Sequence, residues 1–186
     1  MERRAVVAAD RWVPLAEIAR AHGVRGEVRL RPFNPDSDLL FRLREVLLRC
    51  ADGKERELGV ESARPANDAI LMKLSAVNDR DRAAELRGAL VCGRRAHFPP
   101  LGEGEFYACD VEGARVVVED GPEPPPSREV GRVITLRSGP CADVLVVEAL
   151  DGGRPWEVPL VSHVVRSVDV AQGVVTLASM EGVERE

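Results

Sequence analysis

Hydrophobic and polar residues alternate with a period of two between Gly26 and Phe33. Counted from Gly26, this period puts Val28, Leu30 and Pro32 on one face and Glu27, Arg29, Arg31 and Phe33 on the other. One face can enter a core while the other meets a polyanion. Similar apolar runs, bounded by Gly, Pro, Asn or Asp, predict strands over 13–21, 26–33, 45–50, 55–63, 68–74 and 89–92. A single helix interrupts them. Asn78 can cap it, Asp79 and Asp81 sit in its first turn, Ala83, Ala84 and Leu86 favour it, and Gly88 ends it.

The pattern changes at Pro99-Pro100-Leu101-Gly102-Glu103-Gly104, which reads as a linker over 99–104 between a domain at 12–98 and another at 105–186. Beyond it, short valine-rich runs at 114–119, 129–136, 143–150, 154–158 and 173–178 predict a second small barrel or sandwich. The segment 121–127, with its four prolines, reads as a loop inside this domain because strands continue on both sides. The expected fold class is therefore mainly β, in two small domains.

Two glycines three residues apart, Gly23 and Gly26, frame the tip of the hairpin formed by the first two strands, in His22-Gly23-Val24-Arg25-Gly26. They predict positive φ or a bulge, because such conformations are costly for residues with a Cβ. At the level of the sequence they serve equally well as a plain turn or as part of a binding loop.

Charge sharpens the division. The chain has 186 residues and a net charge of -5, but residues 1–98 hold 19 Lys+Arg against 15 Asp+Glu, and residues 99–186 hold 7 against 16. The halves carry +4 and -9, so the first could approach RNA and the second a basic protein. Solvated faces would give the same counts. Cys50, Cys92, Cys109 and Cys141 are widely spaced with no Cys-x-x-Cys pattern, so no metal site is expected. No apolar run approaches the roughly 20 residues of a membrane helix, and residues 1–11 lack the apolar core of a secretory signal. Both point to a cytoplasmic protein without a membrane role.

Catalytic chemistry has little foothold. His22 could serve as a general base, yet no serine or cysteine lies at a recognisable motif spacing from it, and the surrounding loop is neither a Walker loop nor a dinucleotide fingerprint. No cofactor is expected. Aromatic residues make up only 4% of the chain, so the adjacent pair Phe106-Tyr107 stands out. In an extended segment the two rings face opposite ways, one into a core and the other towards a partner. Both could instead pack between the domains. Trp156 reads as core or a groove wall.

Three motifs in order resemble the RimM family of ribosome maturation factors. The first is Ile18 through Leu30, with His-Gly-Val-Arg-Gly-Glu-Val-Arg-Leu at its centre and Arg31-Pro32-Phe33 after it. The second is Met72-Lys73-Leu74 running into Val77-Asn78-Asp79-Arg80-Asp81 and Ala83-Ala84-Glu85-Leu86-Arg87-Gly88. The third is Leu101-Gly102-Glu103-Gly104-Glu105-Phe106-Tyr107, followed by Gly131-Arg132-Val133 and Ala142-Asp143-Val144-Leu145-Val146-Val147. The chain departs from the family pattern at Ala16, where a glycine is common, at Phe106, where a tyrosine is usual, and in the segment 159–165, which lacks frequent aromatics.

The resemblance implies a translation-factor-like N-terminal β-barrel and a C-terminal PRC-type barrel. It also implies a cytoplasmic, non-catalytic assembly factor for the small ribosomal subunit. Its partners would be 16S rRNA in immature particles and the ribosomal protein of the subunit head numbered nineteen. On this reading Phe106 and Tyr107 bind the ribosomal protein, Arg25, Arg29 and Arg31 contact RNA, and Gly23 and Gly26 are structural turn residues. Two other classes stay open at this point: an RNA-modifying or RNA-cleaving enzyme using His22, and a PRC-type adaptor of a membrane complex.

Overall fold

The strand runs of the first half become a closed barrel in the computed structural model, which describes residues 10–102, 104–119, 127–139, 141–150, 152–180 and 183. The chain divides after Pro100 into two compact units. In the first, strands β1 (Trp12–His22), β2 (Glu27–Pro32), β3 (Glu45–Arg49), β4 (Glu55–Ala66), β5 (Ala69–Leu74) and β6 (Leu90–Arg94) close in the order β1-β2-β5-β4-β3-β6. Ile18, Leu30, Leu48, Met72, Leu74 and Val91 are fully buried inside. Closure leaves no unpaired edge, which suits a small barrel built from aliphatic side chains.

Helix α2 (Arg80–Glu85) lies where the strand runs break, and packs on β1 and β2 through Ala83 and Leu86. Its N-cap is Asp79 rather than the expected Asn78. Asp79 is extended (φ -143°) and its Oδ1 accepts the Arg82 N–H at 2.8 Å, whereas Asn78 precedes the first helical turn. A four-residue helix α1 (Leu39–Arg42) sits between β2 and β3. It is too short to produce a readable helical period.

The second unit holds a short helix α3 (Ala108–Val111) and strands β7 (Arg115–Glu119), β8 (Ser127–Arg137), β9 (Val144–Ala149), β10 (Trp156–Pro159), β11 (Val165–Asp169) and β12 (Val174–Leu177). They form one six-stranded sheet in the order β10-β9-β8-β7-β12-β11, with β12 and β7 parallel. This is a half-barrel. The fold class is mainly β as expected, and the second barrel stays open because β10 and β11 are not paired with each other among the described residues. Trp156 is 1% exposed in the core with Leu145, Val158 and Leu177, which settles it as a packing residue. Strand β11 does not follow from the sequence pattern, since Arg166 and Ser167 interrupt its apolar residues. It forms through pairing with β12. The proline-rich loop expected at 121–127 lies outside the described residues except for Ser127.

Candidate functional site

The hairpin pairs Ala16 with Pro32, Ile18 with Leu30, Arg20 with Arg29 and His22 with Glu27, with a bulge between Ile18 and Arg20. Val28 and Leu30 are buried, Arg31 and Phe33 are exposed, and Arg29 is half-buried, so the alternating faces are present. Both glycines at the tip have positive φ, +62° for Gly23 and +76° for Gly26, but they are not equivalent. A Cβ on Gly23 would meet nothing within 4 Å, while one on Gly26 would fall 2.1 Å from the Val77 carbonyl oxygen and 2.9 Å from the Asp79 nitrogen. Gly23 turns the chain. Gly26 also lets the hairpin press against the backbone that leads into α2.

The first two sequence motifs meet at this point. Lys73, opposite Glu27 in the register between β2 and β5, donates from Nζ to the Val77 carbonyl at 2.6 Å. The ammonium thereby holds the carbonyl over which Gly26 passes. Asp79 continues the segment as the cap of α2. Hairpin tip, β5 end and helix start are therefore one locked substructure, built from residues about 50 positions apart in the chain.

The three arginines that sequence reading singled out differ in their surroundings. Arg25 is exposed at the tip and in no salt bridge among the described residues. Arg31 bonds Glu17 at 2.6 Å across the β1–β2 pair, and its own side chain stays 70% exposed. Arg29 is held by Asp68 and its side chain is 20% exposed. A phosphate reaching Arg29 or Arg31 would have to share the guanidinium with a carboxylate, while Arg25 is unencumbered. His22 is half-buried at the end of β1. Among the described residues, no three of His, Cys, Asp and Glu are grouped as metal ligands.

In the second unit Phe106 and Tyr107 lead into α3. Phe106 packs against the core of that unit, whereas Tyr107 is half-buried and outside the core cluster. The Tyr107 N–H donates to Asp110 Oδ2 at 3.3 Å, and the Asp110 N–H donates to the Tyr107 carbonyl at 2.8 Å. This closed turn fixes the backbone that carries both rings. Phe106 also walls a shallow cleft with Gly104, Leu160, Val161, Val165 and Val168. Sequence reading missed the aliphatic side of this cleft, because its residues come from the turn after β10 and from β11, which carry no alternation.

The sequence compares closely with known proteins over both units. The family model described as RimM N-terminal domain matches residues 13–98, and that described as RimM PRC barrel domain matches residues 108–183. A ribosome maturation factor RimM from Sorangium cellulosum is 49% identical over 92% of this chain and 97% of its own length. Its counterpart from Sphingopyxis alaskensis is 38% identical over 93% and 99%. That from Azotobacter vinelandii is 36% identical over 89% and 90%. With both domain patterns in order and relatives aligned over about nine-tenths of the chain, it belongs to the RimM family of ribosome maturation factors.

Proposed function

We propose that this protein assists assembly of the small ribosomal subunit by binding the head of the immature particle, and that processing of 16S rRNA improves indirectly. The observation that carries this reading is the full-length match to ribosome maturation factors across both units. On this reading the half-barrel takes the ribosomal protein numbered nineteen. Phe106 supports the contact from the core, Tyr107 supplies a stiff amphipathic ring, and the acidic half of the chain favours a basic protein. The basic half contacts 16S rRNA through Arg25, Arg29 and Arg31. The work is guidance of folding, in the cytoplasm, with no bond made or broken by the protein.

Sedimentation of tagged protein from a cell lysate, with every gradient fraction blotted, tests the reading. Enrichment on free small subunits with absence from full ribosomes is expected. A signal confined to the top of the gradient even at low salt overturns the proposal. For the protein partner, Tyr107→Ala should weaken the complex with the ribosomal protein by about 2 kcal/mol, or roughly thirtyfold. Unchanged affinity with the fold intact removes Tyr107 from the contact.

A further inference from the structure

The arginines of the barrel fall into two groups. Arg29, Arg31, Arg42, Arg49, Arg64, Arg82 and Arg94 each hold a carboxylate. Among the described residues, Arg20, Arg25, Arg44, Arg56, Arg80 and Arg87 are exposed and in no salt bridge. Five of these six are brought together by the fold. The backbone of Gly26 passes directly over Val77 and Asp79, which brings the hairpin tip carrying Arg25 against the segment that leads into Arg80 at the start of α2. At the other end of α2, the Gly88 N–H donates to the Ile18 carbonyl at 2.8 Å and the Ile18 N–H to the Ala89 carbonyl at 2.9 Å. Those bonds lay Arg87 along β1, close to Arg20. Arg87 and Arg56 then line one cleft with Asp52, Glu85, Leu86 and Ala89.

Arg80 opens α2, and Arg87 stands in the turn just after its last residue, Glu85, where the Arg87 N–H bonds the Ala84 carbonyl at 3.2 Å. Glu85 shares the cleft of Arg56 and Arg87 without bonding either, and Asp79 is engaged by the Arg82 N–H and guanidinium. Asp52 is bonded by Lys54 at 2.8 Å, which together with a smaller attraction from Arg56 lowers its pKa, so Lys54 is its hydrogen-bonded partner. Arg20 has a further peculiarity. It stands directly opposite Arg29 in the β1–β2 register, a cross-strand pairing of like charges that is unfavourable unless an anion relieves it, and Asp68 serves only Arg29.

We propose that Arg25, Arg80, Arg20, Arg87 and Arg56 form a strip that binds the phosphate backbone of structured RNA. The proposal rests on the reading above that the barrel meets ribosomal RNA, and extends the contact from the hairpin to Arg56, Arg80 and Arg87. Guanidinium forks suit phosphate oxygens, and the strip carries no aromatic ring on which a base could stack, so it reads charge and shape rather than sequence. Arg44, which lines a separate cleft with His97, stands outside it.

The test measures binding of the full chain to a transcript of small-subunit ribosomal RNA as a function of salt. The variant R20Q/R80Q/R87Q removes three exposed charges without touching the core, and R44Q is the control. If each arginine meets a phosphate, the triple variant flattens the slope of log affinity against log salt by about three, and R44Q leaves it within about one of the parent. An unchanged slope for the triple variant overturns the strip, and if R29Q/R31Q then loses binding, the hairpin reading stands without it. Displacement of the RNA by polyglutamate at equal charge concentration also overturns the strip's assignment to phosphate. Failure of the parent protein to bind either the transcript or immature subunits overturns the ribosomal RNA reading itself.

Discussion

The two glycines of the hairpin tip offer a matched pair of perturbations, Gly23→Ala and Gly26→Ala. Both force a residue with a Cβ into the left-handed region, which costs about 1 kcal/mol at a single position. For Gly23 that is the whole cost, because the new methyl group meets open space. For Gly26 the methyl carbon would fall 2.1 Å from the Val77 carbonyl oxygen and 2.7 Å from its carbon, where ordinary contact begins at 3.4 Å. The obstacle is backbone, held in place by Lys73 at 2.6 Å and followed immediately by the cap of α2. Moving it by more than an ångström adds a cost of the size seen on overpacking a core, about 2 kcal/mol. The expected totals are about 1 kcal/mol for Gly23→Ala and about 3 kcal/mol for Gly26→Ala. Urea unfolding of the whole chain, read by hydrogen exchange on peptides from β2 and β5, follows the first unit by itself. Equal losses for the two variants would refute the view that Gly26 is required by close approach rather than by its turn alone.

Two other outcomes follow from burial. Cys92 is buried in β6, and burial is the main cause that pushes its thiol pKa up, with Arg49 opposing and Glu55 adding to the rise. The folded state therefore keeps the proton that the unfolded thiol gives up near its ordinary value of 9.0, so the first unit should lose stability as pH rises through that value. Urea midpoints from about pH 8 to 10 should fall less in Cys92→Ala than in the parent, and equal slopes would remove the thiol as the cause. In the second unit, Trp156→Ala empties the largest fully buried site and should cost about 4 kcal/mol, measured by urea unfolding with exchange on β9 peptides. A loss below about 1 kcal/mol would mean the half-barrel collapses around the cavity.

What the sequence determined by itself is the local part of this protein. Alternation and apolar runs between turn residues depend only on neighbouring residues, so most strands of both units and the buried faces of Val28 and Leu30 were legible without coordinates. The family motifs were legible for the same reason, being short, ordered and fixed in spacing. Elements without enough residues to repeat a pattern were not: α1 and α3 have four residues each, and β11 exists through its pairing with β12.

Tertiary structure decided everything that depends on which distant residues meet. Arg29 and Arg31 look alike in the sequence, but Asp68, 39 residues away, covers one, while Glu17 across the hairpin bonds the other and leaves it open. The difference between Gly23 and Gly26 lies in a carbonyl about 50 residues further on. Whether the second sheet closes is set by the pairing of its edge strands, which no local pattern encodes. The arginine strip is the strongest case. Its proposed members come from β1, the hairpin tip, the strand β4 and the two ends of α2, and charge acts through space, so their grouping and the absence of a salt bridge on each depend on the folded barrel.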